Sequence, residues 1–194
     1  MKNFAKYQEE HINAIQSFTD TEMLDKVIKV IISCLKLRLP VLIFGNGGSA
    51  ADALHFSAEL VGKFLHDREA LNVICLNSNQ STLTAWSNDY NFNDIFARQV
   101  AAHGQEKGVV IGISTSGKSK NIINGFVQAK KMGMINIGMT GNNLLLAEHV
   151  DYLLQIPSQN TPIIQEGHEV LYHFICQQVE QSFLDDERID KNED

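Results

Sequence analysis

Cysteine, proline and tryptophan are scarce in this chain, at three, three and one among 194 residues. No uninterrupted apolar run approaches the roughly 18 residues that a membrane-spanning helix needs. Cys34, Cys75 and Cys176 lie far apart in apolar surroundings without CxxC spacing, so no disulfide framework or zinc ribbon is expected. They suit buried thiols in a reducing compartment. The N-terminal segment has no apolar leader core, and the expected location is the cytoplasm. Basic residues are also in deficit: 16 Lys and Arg stand against 23 Asp and Glu, a net charge of −7. Part of the acidic excess lies in Asp185-Asp186-Glu187 and in residues 190–194. With no basic stripe, neither nucleic acid nor a membrane surface is an expected partner.

What is present is a core-forming pattern. An apolar content of 44% over this length fits one domain, residues 1–194. Phe4, Tyr7, His11, Ile15 and Phe18 recur at helical spacing on a polar segment, predicting an amphipathic first helix in need of a partner surface. A second helix starts near Asp20 and ends before Pro40. These N-terminal helices cover about residues 3–37. Five apolar runs follow, at residues 41–44, 71–76, 109–113, 134–139 and 152–156, mostly separated by helix-sized intervals. Runs with little polar alternation describe a parallel sheet covered on both faces, an α/β three-layer sandwich. A long helix is predicted over 161–183, with a disordered acidic tail from about 185 to 194.

Ligands of open parallel sheets bind beyond the carboxyl ends of the strands, and two turns at such ends are chemically unusual. Ser114-Thr115-Ser116-Gly117-Lys118-Ser119 follows the third run and precedes a helix, offering more hydroxyls than one helix cap requires. Together with free helix N–H groups they suit a phosphate. Gly45-Asn46-Gly47-Gly48-Ser49 follows the first run. It lacks the spacing of a Walker or dinucleotide motif, and Ser49 is positioned to cap the next helix. On that helix His55 and Glu59 share a face at four-residue spacing, which serves an ion pair or a shared metal equally. On the last helix Gln165 and His173 also share a face, and spacing leaves Gln165 and Glu169 both open as companions to His173. Two helices each offering an imidazole and an oxygen suit a divalent ion such as zinc. The segment from Asn77 to Asn93, with Asn88-Asp89, reads as a loop that either lines a site or simply turns.

Taken together, GNGGS-x5-HF-x2-E at 45–59, Asn88-Asp89, the Ile113-Ser114-Thr115-Ser116-Gly117-x-Ser119 turn and Gln165-Glu166-x-His168-x4-His173 resemble the phosphoheptose isomerases of the sugar-isomerase (SIS) domain family. The resemblance covers nearly the whole chain and implies a flavodoxin-like five-stranded sheet. It implies isomerisation of sedoheptulose 7-phosphate to D-glycero-D-manno-heptose 7-phosphate, the first step toward ADP-heptose and the lipopolysaccharide inner core. Ser114, Thr115, Ser116 and Ser119 would then hold the phosphate, while Asn46, Gly47, Gly48, Ser49, Asn88, Asp89 and Gln165 face the sugar. His55, Glu59, Gln165 and His173 would ligate one Zn2+ per subunit, with Glu59 and His173 catalytic, in a homotetramer with interfacial sites. Ile163 and Lys63 stand where relatives often carry arginine, which bears on sugar specificity. The rival readings are a non-catalytic SIS protein that bridges a replication initiator, and an isomerase or sensor of another sugar phosphate. The joint presence of Glu59 and His173 favours the enzyme.

Overall fold

The computed structural model describes residues 3–190. Two helices lead the chain, α1 (Phe4–Gln16), capped by the Asn3 side chain, and α2 (Thr21–Lys36), capped by Asp20. The remaining elements are, in order, β1 (Val41–Gly45), α3 (Gly48–Val61), β2 (Val73–Cys75), α4 (Gln80–Asp89), α5 (Ile95–His103), β3 (Val109–Ile113), α6 (Lys120–Lys131), β4 (Ile135–Thr140), β5 (Tyr152–Gln155) and α7 (Thr161–Asp190). All five strands are parallel, in the order β2-β1-β3-β4-β5. Val41 of β1, an interior strand, lies opposite Val73 on one side and Val109 on the other.

Strand residues alternate between two cores, as the two-residue period of a strand requires. Val41 and Ile43 pack with α2, α3 and α7, whereas Leu42 and Phe44 pack with α5 and α6. Phe44 stacks on Phe96 with ring centroids 4.8 Å apart and lies against Phe126. Both faces of the sheet are therefore dry, which accounts for strands that read as continuous apolar runs. The expected α/β three-layer sandwich is the architecture found. Cys34, Cys75 and Cys176 are free and buried, and burial raises each thiol's pKa.

Three expectations need correction. The segment 77–93 holds the helix α4 rather than a continuous loop: Asn79 accepts the Thr82 N–H as its cap, and Thr84 bonds back to the Gln80 carbonyl. No residue of α4 is buried, so the hydrophobic signal that normally reveals a helix was missing. Ser49 is not a cap, because Gly47 holds the N-cap position of α3 and Ser49 is buried within its first turn. Finally, α7 runs on to Asp190 through the first part of the segment expected to be a disordered tail, and residues 191–194 lie outside the described residues.

The first helix finds a partner within its own chain. His11 Nε2 lies 2.5 Å from Glu166 Oε2 on α7, and Tyr7 Oη is 3.4 Å from Glu166 Oε1. Phe4 and Ile12 remain exposed on its outer side.

Candidate active site

In the order β2-β1-β3-β4-β5, successive connections leave β1 and β3 toward opposite faces, making a crevice at their carboxyl ends. The two singled-out turns flank that crevice. In the turn after β3, Ser114 is buried and its hydroxyl accepts the Gly117 N–H at 3.2 Å. Ser119 Oγ is 3.4 Å from Ser114 Oγ. Although Ser119 is the N-cap residue of α6, its side chain makes no cap hydrogen bond. Asn121 Oδ1 accepts the Ile122 N–H, so the first two N–H groups of this twelve-residue helix, those of Lys120 and Asn121, remain available to an anion beside the Ser119 hydroxyl. Thr115, Ser116 and Lys118 line a cavity of about 390 Å³ with Asn143, Ser158 and Ile164.

In the turn after β1, Gly47 has φ +56, the left-handed region that favours glycine. Gly48 lets α3 and α7 come close: a Cβ there would run into the end of the Gln165 side chain. Asn46 and Asn121 exchange paired amide hydrogen bonds, each 2.8 Å, tying the glycine turn to the start of α6. Asn77 bonds both the N–H and the carbonyl of Gly45. Sequence reasoning missed Asn121 and Asn77; the available signal was a carboxamide directly after each strand end or at a helix start. Asn88 donates to Asp89 at 2.8 Å on the exposed last turn of α4, and neither side chain bonds another candidate site residue.

Helices α3 and α7 lie side by side, with Gly48 against Gln165 and His55 against Tyr172. Both pairs are 117 residues apart, so the two helices run parallel. Their neighbouring faces bring His55, Glu59 and His173 together, each offering a ligand atom within 4.8 Å of the others. His55 Nε2 is 3.0 Å from Glu59 Oε1, and the His55 and His173 rings meet edge to face at 5.0 Å. Glu169 Oε1 approaches the other nitrogen of His55, Nδ1, at 3.7 Å. Gln165 sits roughly 12 Å up the helix from His173 by the α-helical rise, at the glycine-turn end. Two imidazoles and one carboxylate form a donor set used by catalytic metal sites that keep a position open. The residues present fit a divalent ion.

Charged groups behind the cluster are arranged unusually. Burial, reinforced by the charge of Glu169 and opposed by His55, pushes Asp52 up to about 6. Its buried Oδ2 has no hydrogen-bond partner. On α7, burial pushes His168 down to about 4, and its Nε2–H donates to the Thr140 carbonyl at the end of β4. This motif histidine anchors a helix to the sheet. Further along, Glu180 accepts the backbone N–H groups of Phe64, Leu65 and His66 at 2.9–3.0 Å. The loop so held follows Glu59 and carries Phe64 against His173. Ile163, at a position of expected arginine, is buried, whereas Lys63 is exposed.

Comparison with known proteins points the same way. Residues 6–141 match the family described as SIS domain. A phosphoheptose isomerase of Crocosphaera subtropica is 49% identical over 158 residues, 81% of each chain. One of Clostridium acetobutylicum is 41% identical over 197 aligned residues, covering 98% of this chain and all of that one. The solved phosphoheptose isomerase GmhA of Neisseria gonorrhoeae superposes with a TM-score of 0.86 at 36% identity, over 92% of this chain and 97% of its own.

Proposed function

The chain belongs to the SIS domain family, and from that premise we propose that it is a phosphoheptose isomerase, converting sedoheptulose 7-phosphate to D-glycero-D-manno-heptose 7-phosphate. The observation that carries this reading is the convergence of His55, Glu59 and His173 within one chain that also holds a serine-lined anion turn.

The reaction moves a proton from carbon 1 of the ketose to carbon 2 through an enediol. Glu59 removes the carbon-1 proton, and His173 delivers a proton to the carbonyl oxygen; each role is worth roughly 10²–10⁴-fold. Return of the proton to carbon 2, with loss of the one on oxygen 1, yields the aldehyde. Zinc is the ion of this reading: His55, Glu59 and His173 would hold it, with Gln165, from the glycine-turn end of α7, as the fourth donor that the family likeness implies. When bound, it would polarise the carbonyl and offset charge developing on the oxygens. Ser114, Thr115, Ser116 and Ser119 hold the phosphate at the far end, and that remote binding helps orient the reacting carbons. Asn46, Gly47, Gly48, Ser49, Asn88 and Asp89 face the sugar chain in this arrangement.

The assembly proposed is a homotetramer with sites at subunit interfaces. Supporting it, Leu54 and Val61 on α3 and Val170 and Phe174 on α7 are exposed apolar side chains beside the cluster. A cytoplasmic location and supply of ADP-heptose for lipopolysaccharide complete the proposal; among the described residues, no helix is long and apolar enough to cross a membrane. The test is turnover of sedoheptulose 7-phosphate by Glu59→Gln and His173→Ala. Loss of at least about 10²-fold in each, with native circular dichroism, is expected; near wild-type turnover in both overturns the mechanism.

A further inference from the structure

His55 has two ring nitrogens, and only one can face the cluster. Its Nε2 does so, at 3.0 Å from Glu59, while Nδ1 meets the Tyr172 hydroxyl at 2.9 Å. Glu169, at 3.7 Å, is too distant from Nδ1 for a hydrogen bond. We propose that Tyr172 is the positioning residue for His55, fixing through Nδ1 the ring orientation that presents Nε2 to a cation beside Glu59 and His173. The inference rests on the metal reading of that cluster.

The hydroxyl is held where it is by packing. Tyr172 is 1% exposed, and its ring stacks on Phe56 at 5.2 Å and 16°. It also meets His55 and His173 edge to face, at 5.5 and 4.8 Å. A phenol suits this place because it both donates and accepts. With the proton on Nε2, bonded to Glu59, the Tyr172 O–H donates to Nδ1. With Nε2 bare for a cation, Nδ1 carries the proton and donates to the Tyr172 oxygen. The same side chain thus serves His55 before and after an ion arrives. Partners of this kind orient metal-bound imidazoles, and their loss typically weakens metal binding 10–100-fold.

The experiment compares metal-free wild type, Tyr172→Phe and Glu169→Gln by Zn2+ titration against a chromogenic chelator. Visible spectra after Co2+ addition and melting curves of the metal-free proteins complete it. Tyr172→Phe keeps the ring on Phe56, so its metal-free melting temperature should stay near that of wild type. Its Zn2+ affinity should fall about 10–100-fold and its Co2+ bands should change, while Glu169→Gln stays nearer wild type. Equal affinity and spectra for wild type and Tyr172→Phe overturn the inference, as does a larger effect of Glu169→Gln. Wild type that binds no Zn2+ overturns instead the metal reading on which the inference rests.

Discussion

At the scale of the residue, the cluster works through donor identity, and the groups behind it through burial. His168 gives a measurable consequence. Its folded pKa, pushed down to about 4, lies below the ordinary histidine value near 6.5, so the native protein binds fewer protons than the unfolded chain between those pH values. The stability it contributes is complete above about pH 6.5 and is lost as pH falls toward 4. Asp52, pushed up to about 6, acts in the opposite sense: its contribution is present below pH 4 and is lost as pH rises through 6. Comparing His168→Gln with wild type isolates the first effect. Urea unfolding at successive pH values should show a shallower fall from pH 6.5 to 4 in the variant; parallel curves would contradict the assignment. Of these residues, His55, Glu59 and His173 were legible as metal or ion-pair candidates from spacing, and their meeting was not. Tyr172 was illegible, and Asn121 and Asn77 were marked only by their places at a helix start and a strand end, because their roles arise from contacts across 32 to 117 residues of chain.

At the scale of the element, the site depends on how closely α3 and α7 approach. Gly48 permits the contact with Gln165, and the atom that an added Cβ would meet is the end of a flexible side chain. Gly48→Ala should therefore leave the melting temperature near wild type while displacing Gln165 and reducing turnover of the sugar phosphate at least several-fold. Unchanged turnover would show that the position of Gln165 does not matter. The loop after α3 makes the contrasting case. Arg68 is fully buried as a side chain and donates to the carbonyls of Glu59 and Gly62, while Glu180 gathers three N–H groups from residues 64–66. Burial alone would raise the Glu180 pKa, but these N–H groups and Arg68 hold it below the ordinary carboxylate value. Removing one partner of a buried pair costs about 3–5 kcal/mol, so Glu180→Ala should show a loss of that order in denaturant unfolding. A change within experimental scatter would rule out the clasp. Apolar runs made all five strands legible, although β2 is shorter than its run; beyond its ends the Asn72 carbonyl and the Leu76 N–H still bond Val41 and Ile43 of β1. The helix α4 escaped detection since its apolar contacts with the core are only the half-buried Leu83 and Trp86, too few for a periodic signal.

At the scale of the whole molecule, one chain presents a serine-rich turn, a glycine turn and a metal-capable cluster along the same edge of the sheet and its neighbouring helices. The parallel sheet covered on both faces was readable in advance from apolar runs set between helical stretches, whereas the order that opens the crevice between β1 and β3 came only with the flavodoxin-like resemblance. Docking of α1 through His11 and Glu166 was not readable, because a single polar pair on two distant helices leaves no periodic signal. Exposed Val170 and Phe174 next to His173 lead to a further expectation: sedimentation velocity should find a tetramer, and Phe174→Asp should shift it toward smaller species with loss of turnover. A fully active monomeric wild type would contradict the interfacial site. The most direct measurement for the account as a whole is conversion of sedoheptulose 7-phosphate by purified protein, before chelation, after chelation and after Zn2+ is restored. The account predicts formation of heptose 7-phosphate, its loss with chelator and its recovery with zinc; conversion that is absent throughout, or indifferent to the chelator, would contradict it.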